Sequence, residues 1–139
     1  MIIVDASAVI AASDRTDRNS AAARAAMASA RVPLIVPAPV SAEIDYMLER
    51  RLNRLSRLQF LIDVQRGRFR IECLELADYT TILNLEERYA RMNPGLADLS
   101  LVVLAARFKT TTLLTFDERH FRNIEPLQGG RFTLLPIDA

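Results

Sequence analysis

Four acidic residues, Asp5, Glu43, Asp98 and Asp117, stand where their type and surroundings could do chemistry. Asp5 ends the apolar run Ile2-Ile3-Val4, and Asp117 ends the run Thr112-Leu113-Leu114-Thr115-Phe116. Short β-branched apolar runs of this kind read as buried strands. In an open parallel sheet the carboxyl ends of the strands share one edge, and ligand sites form along it. Either acid could instead cap the helix or turn that follows, but two acids at equivalent strand ends favour a shared site. Asp98 lies on the same helical stripe as Leu101, Leu104, Ala105 and Phe108, one turn before Leu101. A carboxylate on a core-facing stripe is costly unless it is paired, hydrogen-bonded or bound to metal. A first-turn position also suits the positive end of a helix dipole, so a capping role competes. Glu43 is expected in the first turn of the helix after the Leu34–Val36 strand, near the same edge. Asp45 points about 200° around that helix and should leave the site.

Acids gathered on one edge repel and raise one another's pKa values. A divalent cation resolves the conflict. Hard oxygen donors suit Mg²⁺, with Mn²⁺ as a substitute, and such ions keep waters and bind phosphate. The chemistry expected is metal-assisted hydrolysis of a phosphate ester. No nucleophilic triad offers itself in its place. His120, the sole histidine, follows Asp117 by three residues and lacks an evident Ser or Cys partner. It reads as a structural or rim residue, with phosphate contact as the sharper option. Cys73 is the sole cysteine, which excludes an intrachain disulfide and a cysteine-based zinc site. Within the apolar stretch Phe69–Leu76 it reads as a small core residue.

The elements that must hold these residues alternate between strand and helix. Strands are expected at Ile2–Val4, Leu34–Val36, Phe69–Cys73, Thr111–Phe116 and Arg131–Leu135. Helices are expected at Ser7–Ala12, with Ser7 as a cap, and at Ala21–Ala30, Val40–Arg51, Leu55–Gln65, Asp78–Arg91 and Leu96–Phe108. Gly67 and the Asn93-Pro94-Gly95 turn punctuate the pattern. This alternation implies an α/β fold, a three-layer sandwich with a mainly parallel sheet flanked by helices. With 139 residues and neither repeat nor linker, residues 1–139 read as one domain.

Composition narrows the partners less. The net charge is +1, so no global field declares a nucleic-acid ligand, although 17 of the 18 basic residues are Arg. Arginine's planar fork suits phosphate. Nucleic-acid binding would need a local patch, for which Arg15 and Arg18, in the loop near Asp5, and Arg119, His120 and Arg122, just beyond Asp117, are the candidates. No apolar run is long enough for a bilayer, and the opening Met-Ile-Ile-Val-Asp lacks the pattern of a secretory signal, so a cytoplasmic location with no membrane contact is expected.

Taken together, Asp5-Ala6-Ser7, Ala42-Glu43-Ile44-Asp45-Tyr46, Gly95-Leu96-Ala97-Asp98 and Leu114-Thr115-Phe116-Asp117-Glu118-Arg119-His120-Phe121 resemble the VapC toxins of the PIN-domain family. The ending Gly129-Gly130-Arg131-Phe132-Thr133-Leu134-Leu135-Pro136 resembles a mycobacterial-like subgroup. The resemblance implies a PIN-like fold and a Mg²⁺-dependent endoribonuclease that cuts tRNA or ribosomal RNA. It also implies inhibition by a VapB-like antitoxin and homodimerisation. It assigns catalytic roles to Asp5, Glu43, Asp98 and Asp117, with Asp5, Asp98 and Asp117 on the metal and Ser7 in support. Ala6 departs from the family pattern, which commonly has Thr there. Apolar stripes on the helices Val40–Arg51 and Leu55–Gln65 are candidate antitoxin surfaces. A haloacid dehalogenase-like phosphatase is disfavoured because Ser7 stands where its second Asp is needed, and a receiver domain lacks its paired acids. A catalytically inactive binding module on the same fold is the remaining alternative.

Overall fold

The computed structural model describes residues 1–139 and builds five parallel strands with helices between them. The strands are β1 (Ile2–Val4), β2 (Leu34–Pro37), β3 (Arg70–Glu72), β4 (Thr112–Leu114) and β5 (Thr133–Leu135). The helices are α1 (Ala6–Ser13), α2 (Ser20–Ser29), α3 (Ala38–Arg51), α4 (Arg54–Gln65), α5 (Leu76–Arg88), α6 (Leu96–Arg107) and the short α7 (Glu118–Phe121), with a 3₁₀ turn at Ala90–Met92. The sheet order is β3-β2-β1-β4-β5, every pair parallel. The α/β sandwich read from the sequence is thus present, and its sheet is wholly rather than mainly parallel.

Strand order reverses at β1, where the chain first builds outward to β3 and then returns to place β4 on β1's other side. Loops leave β1 and β4 in opposite directions there and open a crevice at their carboxyl ends. Central burial anchors that crevice. Ile3, Val4, Ile35, Val36, Leu113 and Leu114 are all fully buried, as expected for strands covered on both faces. Helix α6 is buried from Leu99 through Ala105 and packs on α3, α5, β1, β2 and β4. Because α6 leads into β4, its first turn lies at the carboxyl edge of the sheet.

Several boundaries move for local reasons. Pro39 sits inside the first turn of α3, where its missing N–H costs nothing, so the helix begins at Ala38 and Glu43 falls in the second turn. Helix α5 opens at Leu76 rather than at Asp78. Glu75 is its cap, and the Asp78 carboxylate accepts the Glu75 N–H at 2.7 Å in a capping box. Ser7 is not the cap of α1; Asp5 occupies that position and Ser7 lies one residue inside the helix. Gly67, at φ +79°, ends α4 in the left-handed conformation. Strand β3 is the sheet's edge and shortens to Arg70–Glu72, so Cys73 is exposed rather than a core residue. No helix is long and apolar enough to cross a membrane.

Candidate active site

Register alone brings the first two acids together. Val4 pairs with Leu114, so the residues that follow each strand, Asp5 and Thr115, leave the sheet side by side. The Asp5 N–H donates to the Leu114 carbonyl at 3.0 Å, continuing the ladder one step past the strand. Asp5 is buried, 6% exposed, and its Oδ2 is satisfied by two hydroxyls, Ser7 Oγ at 2.7 Å and Thr115 Oγ1 at 2.8 Å. Those hydroxyls also accept backbone N–H groups from the β4 loop. Ser7 Oγ takes that of Phe116 at 3.0 Å, and Thr115 Oγ1 that of Asp117 at 2.9 Å. Ser7 and Thr115 therefore clasp the two loops of the crevice around one carboxylate. Thr115, fully buried, is a residue the sequence reading left without a role. Its signal was a hydroxyl two residues before the acid at the end of an apolar strand.

Asp98 stands in the first turn of α6, where its Oδ2 accepts only a long 3.4 Å bond from the Gly95 N–H. A cap so stretched does not account for a half-buried carboxylate. Burial chiefly, with the charges of Asp5 and Asp117 adding to it, holds the Asp98 carboxyl above its ordinary pKa, although His120 and the Gly95 bond oppose the shift. Glu43 is also raised, first by desolvation and then by the charges of Asp5 and Asp98, against a smaller opposing effect of Arg51. The mutual influence puts Asp5, Glu43 and Asp98 in one electrostatic neighbourhood. Asp45, turned away as expected, pairs with Arg57 of α4 at 3.4 Å.

Asp117 caps α7, its Oδ1 accepting the His120 N–H at 3.1 Å. Its other oxygen, Oδ2, lies 2.7 Å from His120 Nδ1, which in turn lies 3.9 Å from Asp98 Oδ2. Ligand atoms of Asp98, Asp117 and His120 all fall within 4.8 Å of one another, a grouping able to hold a metal ion. Asp5 is not in this tightest group. His120 belongs to the acidic centre rather than to its rim. The Asp117 hydrogen bond, more than any other effect, raises the pKa of its ring.

The basic candidates fare differently. Helix α1 runs eight residues away from Asp5, about 12 Å along its axis, before the chain reaches Arg15 and Arg18. Arg15 there lines a cavity with Arg24, Phe60 and Phe69, near the start of β3 and so at the opposite edge of the sheet. Arg15 is therefore not near Asp5, where the sequence reading had placed it. Arg122 is committed elsewhere, to Asp138 at 2.6 Å and Glu118 at 3.3 Å. Arg119 is exposed on α7, two residues after Asp117. No arginine or lysine forms an ion pair with Asp5, Glu43, Asp98 or Asp117, in a chain with 18 such residues.

A family model for the PIN domain matches residues 2–126. The chain is 33% identical over 135 residues to Ribonuclease VapC26 of Mycobacterium tuberculosis, a match covering 97% of this chain and 100% of that protein. Its fold resembles the crystal structure of Mycobacterium tuberculosis VapC20, described as a Sarcin-Ricin loop cleaving toxin, with a TM-score of 0.77 at 17% identity over 84% of this chain and 90% of that one. The wholly parallel sheet flanked by helices agrees with the fold of VapC20, and by the family model and the identity to VapC26 the chain belongs to the PIN-domain family, among the VapC ribonucleases.

Proposed function

We propose that this protein is the toxin of a VapBC-type pair, an endoribonuclease that cuts structured RNA with Mg²⁺, or Mn²⁺ in its stead. The observation that carries the reading is the uncompensated acidic centre. Half-buried Asp98 is held above its ordinary pKa by burial and by neighbouring carboxylates, and Glu43, although exposed, is raised by partial desolvation and by the charges of Asp5 and Asp98, while no arginine or lysine pairs with any of the four acids. Such a donor set fits a hard divalent cation. Asp98 and Asp117 would hold it, with Asp5 and Glu43 facing the same crevice. When bound, the ion supplies a water of lowered pKa and neutralises charge on the scissile phosphate. The protein's own part is to fix the carboxylates, through Ser7 and Thr115 on Asp5 and through the α7 cap on Asp117.

Ribosomal RNA or tRNA is the substrate class, the former in keeping with the Sarcin-Ricin loop named for VapC20. Exposed Arg119 is placed to meet phosphate beside the acids. A VapB-like antitoxin would cover the apolar side chains that α3 and α4 leave in water, Tyr46, Leu55, Leu61 and Ile62. Homodimerisation, a cytoplasmic location and a single functional unit over residues 1–139 complete the reading. The test is incubation of the purified chain with total RNA in Mg²⁺, in EDTA, and as Asp5→Asn. Discrete cuts that vanish in both controls are expected. RNA binding without cutting would instead make the chain an inactive module.

A further inference from the structure

We propose that His120 is itself a ligand of this centre, giving it a nitrogen donor beside its carboxylates and a preference for Mn²⁺ over Mg²⁺. The inference rests on the metal-dependent reading above and adds to it the identity of one donor and the selectivity that follows. Donors around an octahedral ion with bonds of about 2.1 Å lie about 3 Å apart when adjacent and about 4.2 Å apart when opposite. His120 Nδ1 lies 2.7 Å from Asp117 Oδ2, a few tenths of an ångström short of the adjacent spacing, and 3.9 Å from Asp98 Oδ2, between the adjacent and opposite spacings. The three side chains are only 19–27% exposed, so the ring faces the acids and not the solvent that a phosphate-gripping rim residue would meet.

Local structure explains why the ring is held there. Helix α7 begins directly after Asp117, and the Asp117 cap fixes the first turn through the His120 N–H, which puts residue i+3 over the capping carboxylate. A metal-ligating histidine usually donates its second nitrogen to an acceptor; here Nδ1 is the nitrogen turned to the acids, so it would exchange its hydrogen bond with Asp117 for the ion, and Nε2 is the nitrogen left to donate. Other histidine chemistry lacks partners, since neither Ser nor Cys contacts the ring. Imidazole suits transition ions, whereas all-oxygen sites suit Mg²⁺.

The experiment uses the full chain, stripped with EDTA and titrated calorimetrically with Mn²⁺ and, separately, with Mg²⁺. Pulsed EPR of the Mn²⁺-loaded protein then looks for ¹⁴N coupling. A directly bound imidazole nitrogen is expected to give that coupling. In His120→Ala, checked for folding by circular dichroism, the coupling disappears and Mn²⁺ affinity falls about tenfold or more, while Mg²⁺ affinity changes far less. Should Mn²⁺ bind with no ¹⁴N coupling, or both ions weaken equally in the variant, His120 merely positions Asp117 and the inference is overturned while the metal reading survives. If neither ion binds, both readings are overturned.

Discussion

Replacing Thr115 with valine isolates what the clasp around Asp5 contributes. The two side chains have the same shape, so the fully buried site keeps its packing and loses only a hydroxyl. That hydroxyl donates to Asp5 Oδ2 at 2.8 Å and accepts from the Asp117 N–H at 2.9 Å. A hydrogen bond to a charged group contributes about 1.5–3 kcal/mol and a neutral one about 1 kcal/mol, so the loss should be about 3 kcal/mol. Ser7 Oγ, which still donates to Asp5, sets a limit on the upper end. At about 2–4 °C per kcal/mol for a chain of this size, Tm should fall by about 6–12 °C. Urea unfolding in EDTA measures the same loss as a lower midpoint with an unchanged slope. Ser7→Ala should cost a comparable amount, and the double variant should depart from additivity, because both hydroxyls serve one carboxylate. A change below about 0.5 kcal/mol in Thr115→Val, or strict additivity with Ser7→Ala, would refute the claim that these hydroxyls stabilise Asp5.

Asp98→Asn removes a charge from the crowded crevice, so the metal-free protein should resist urea better than the parent while losing cleavage and at least about tenfold in divalent-ion affinity by calorimetry. The raised carboxyls of Asp98 and Glu43 bind protons more tightly folded than unfolded, above ordinary values of 3.8 and 4.5, so stability without metal should fall as pH rises through the raised values. His120, also raised, contributes stability below pH 6.5 that is lost as pH climbs through its folded value; urea midpoints across the range, with and without saturating Mg²⁺, should show the ion flattening the slope. Leu104→Ala, at a fully buried position on α6, should cost about 2–5 kcal/mol in urea unfolding. Arg119→Ala should reduce the salt dependence of RNA binding by about one unit of slope, whereas Arg122→Ala, whose guanidinium is engaged by Asp138 and Glu118, should leave that slope unchanged.

What the sequence disclosed follows from how each signal is written in it. Ile2–Val4 and Leu34–Val36 are apolar throughout because both faces of a central parallel strand are covered, and both were readable to within a residue. Asp5 and Asp117 were readable for the same reason, since a carboxylate that ends such a run must lie at the strand's carboxyl end. Cys73 misled because an edge strand is covered less than a central one, and its apolar neighbours do not reveal where the edge lies. Arg15 misled because ten residues of sequence are only a short step, yet a helix turns that step into a displacement across the sheet. His120 depended on geometry that no spacing rule supplied: the four-residue α7 leaves no helical periodicity to detect, and only its cap turns the ring onto Asp117.

A crevice of this kind opposes the stability of the fold that builds it. Burial stabilises the sheet through Ile3, Val4, Leu113 and Leu114, and the same burial raises the pKa of Asp98 by withholding water from its charge. The polar contacts present do not divide evenly among the acids. Asp5 has two hydroxyl donors and Asp117 has its helix cap and His120, whereas Asp98 has one stretched backbone bond. Glu43 has no such partner but is exposed to water, so the least satisfied of the three more buried carboxylates is the one in the first turn of α6. An ion arriving at the crevice gains most from Asp98, and relief of that residue's strain on the fold is the physical link between metal binding and stability. Thermal unfolding of the parent and of Asp98→Asn in rising Mg²⁺ measures that link directly, for the parent should gain Tm with the ion and the variant, already relieved, should gain little.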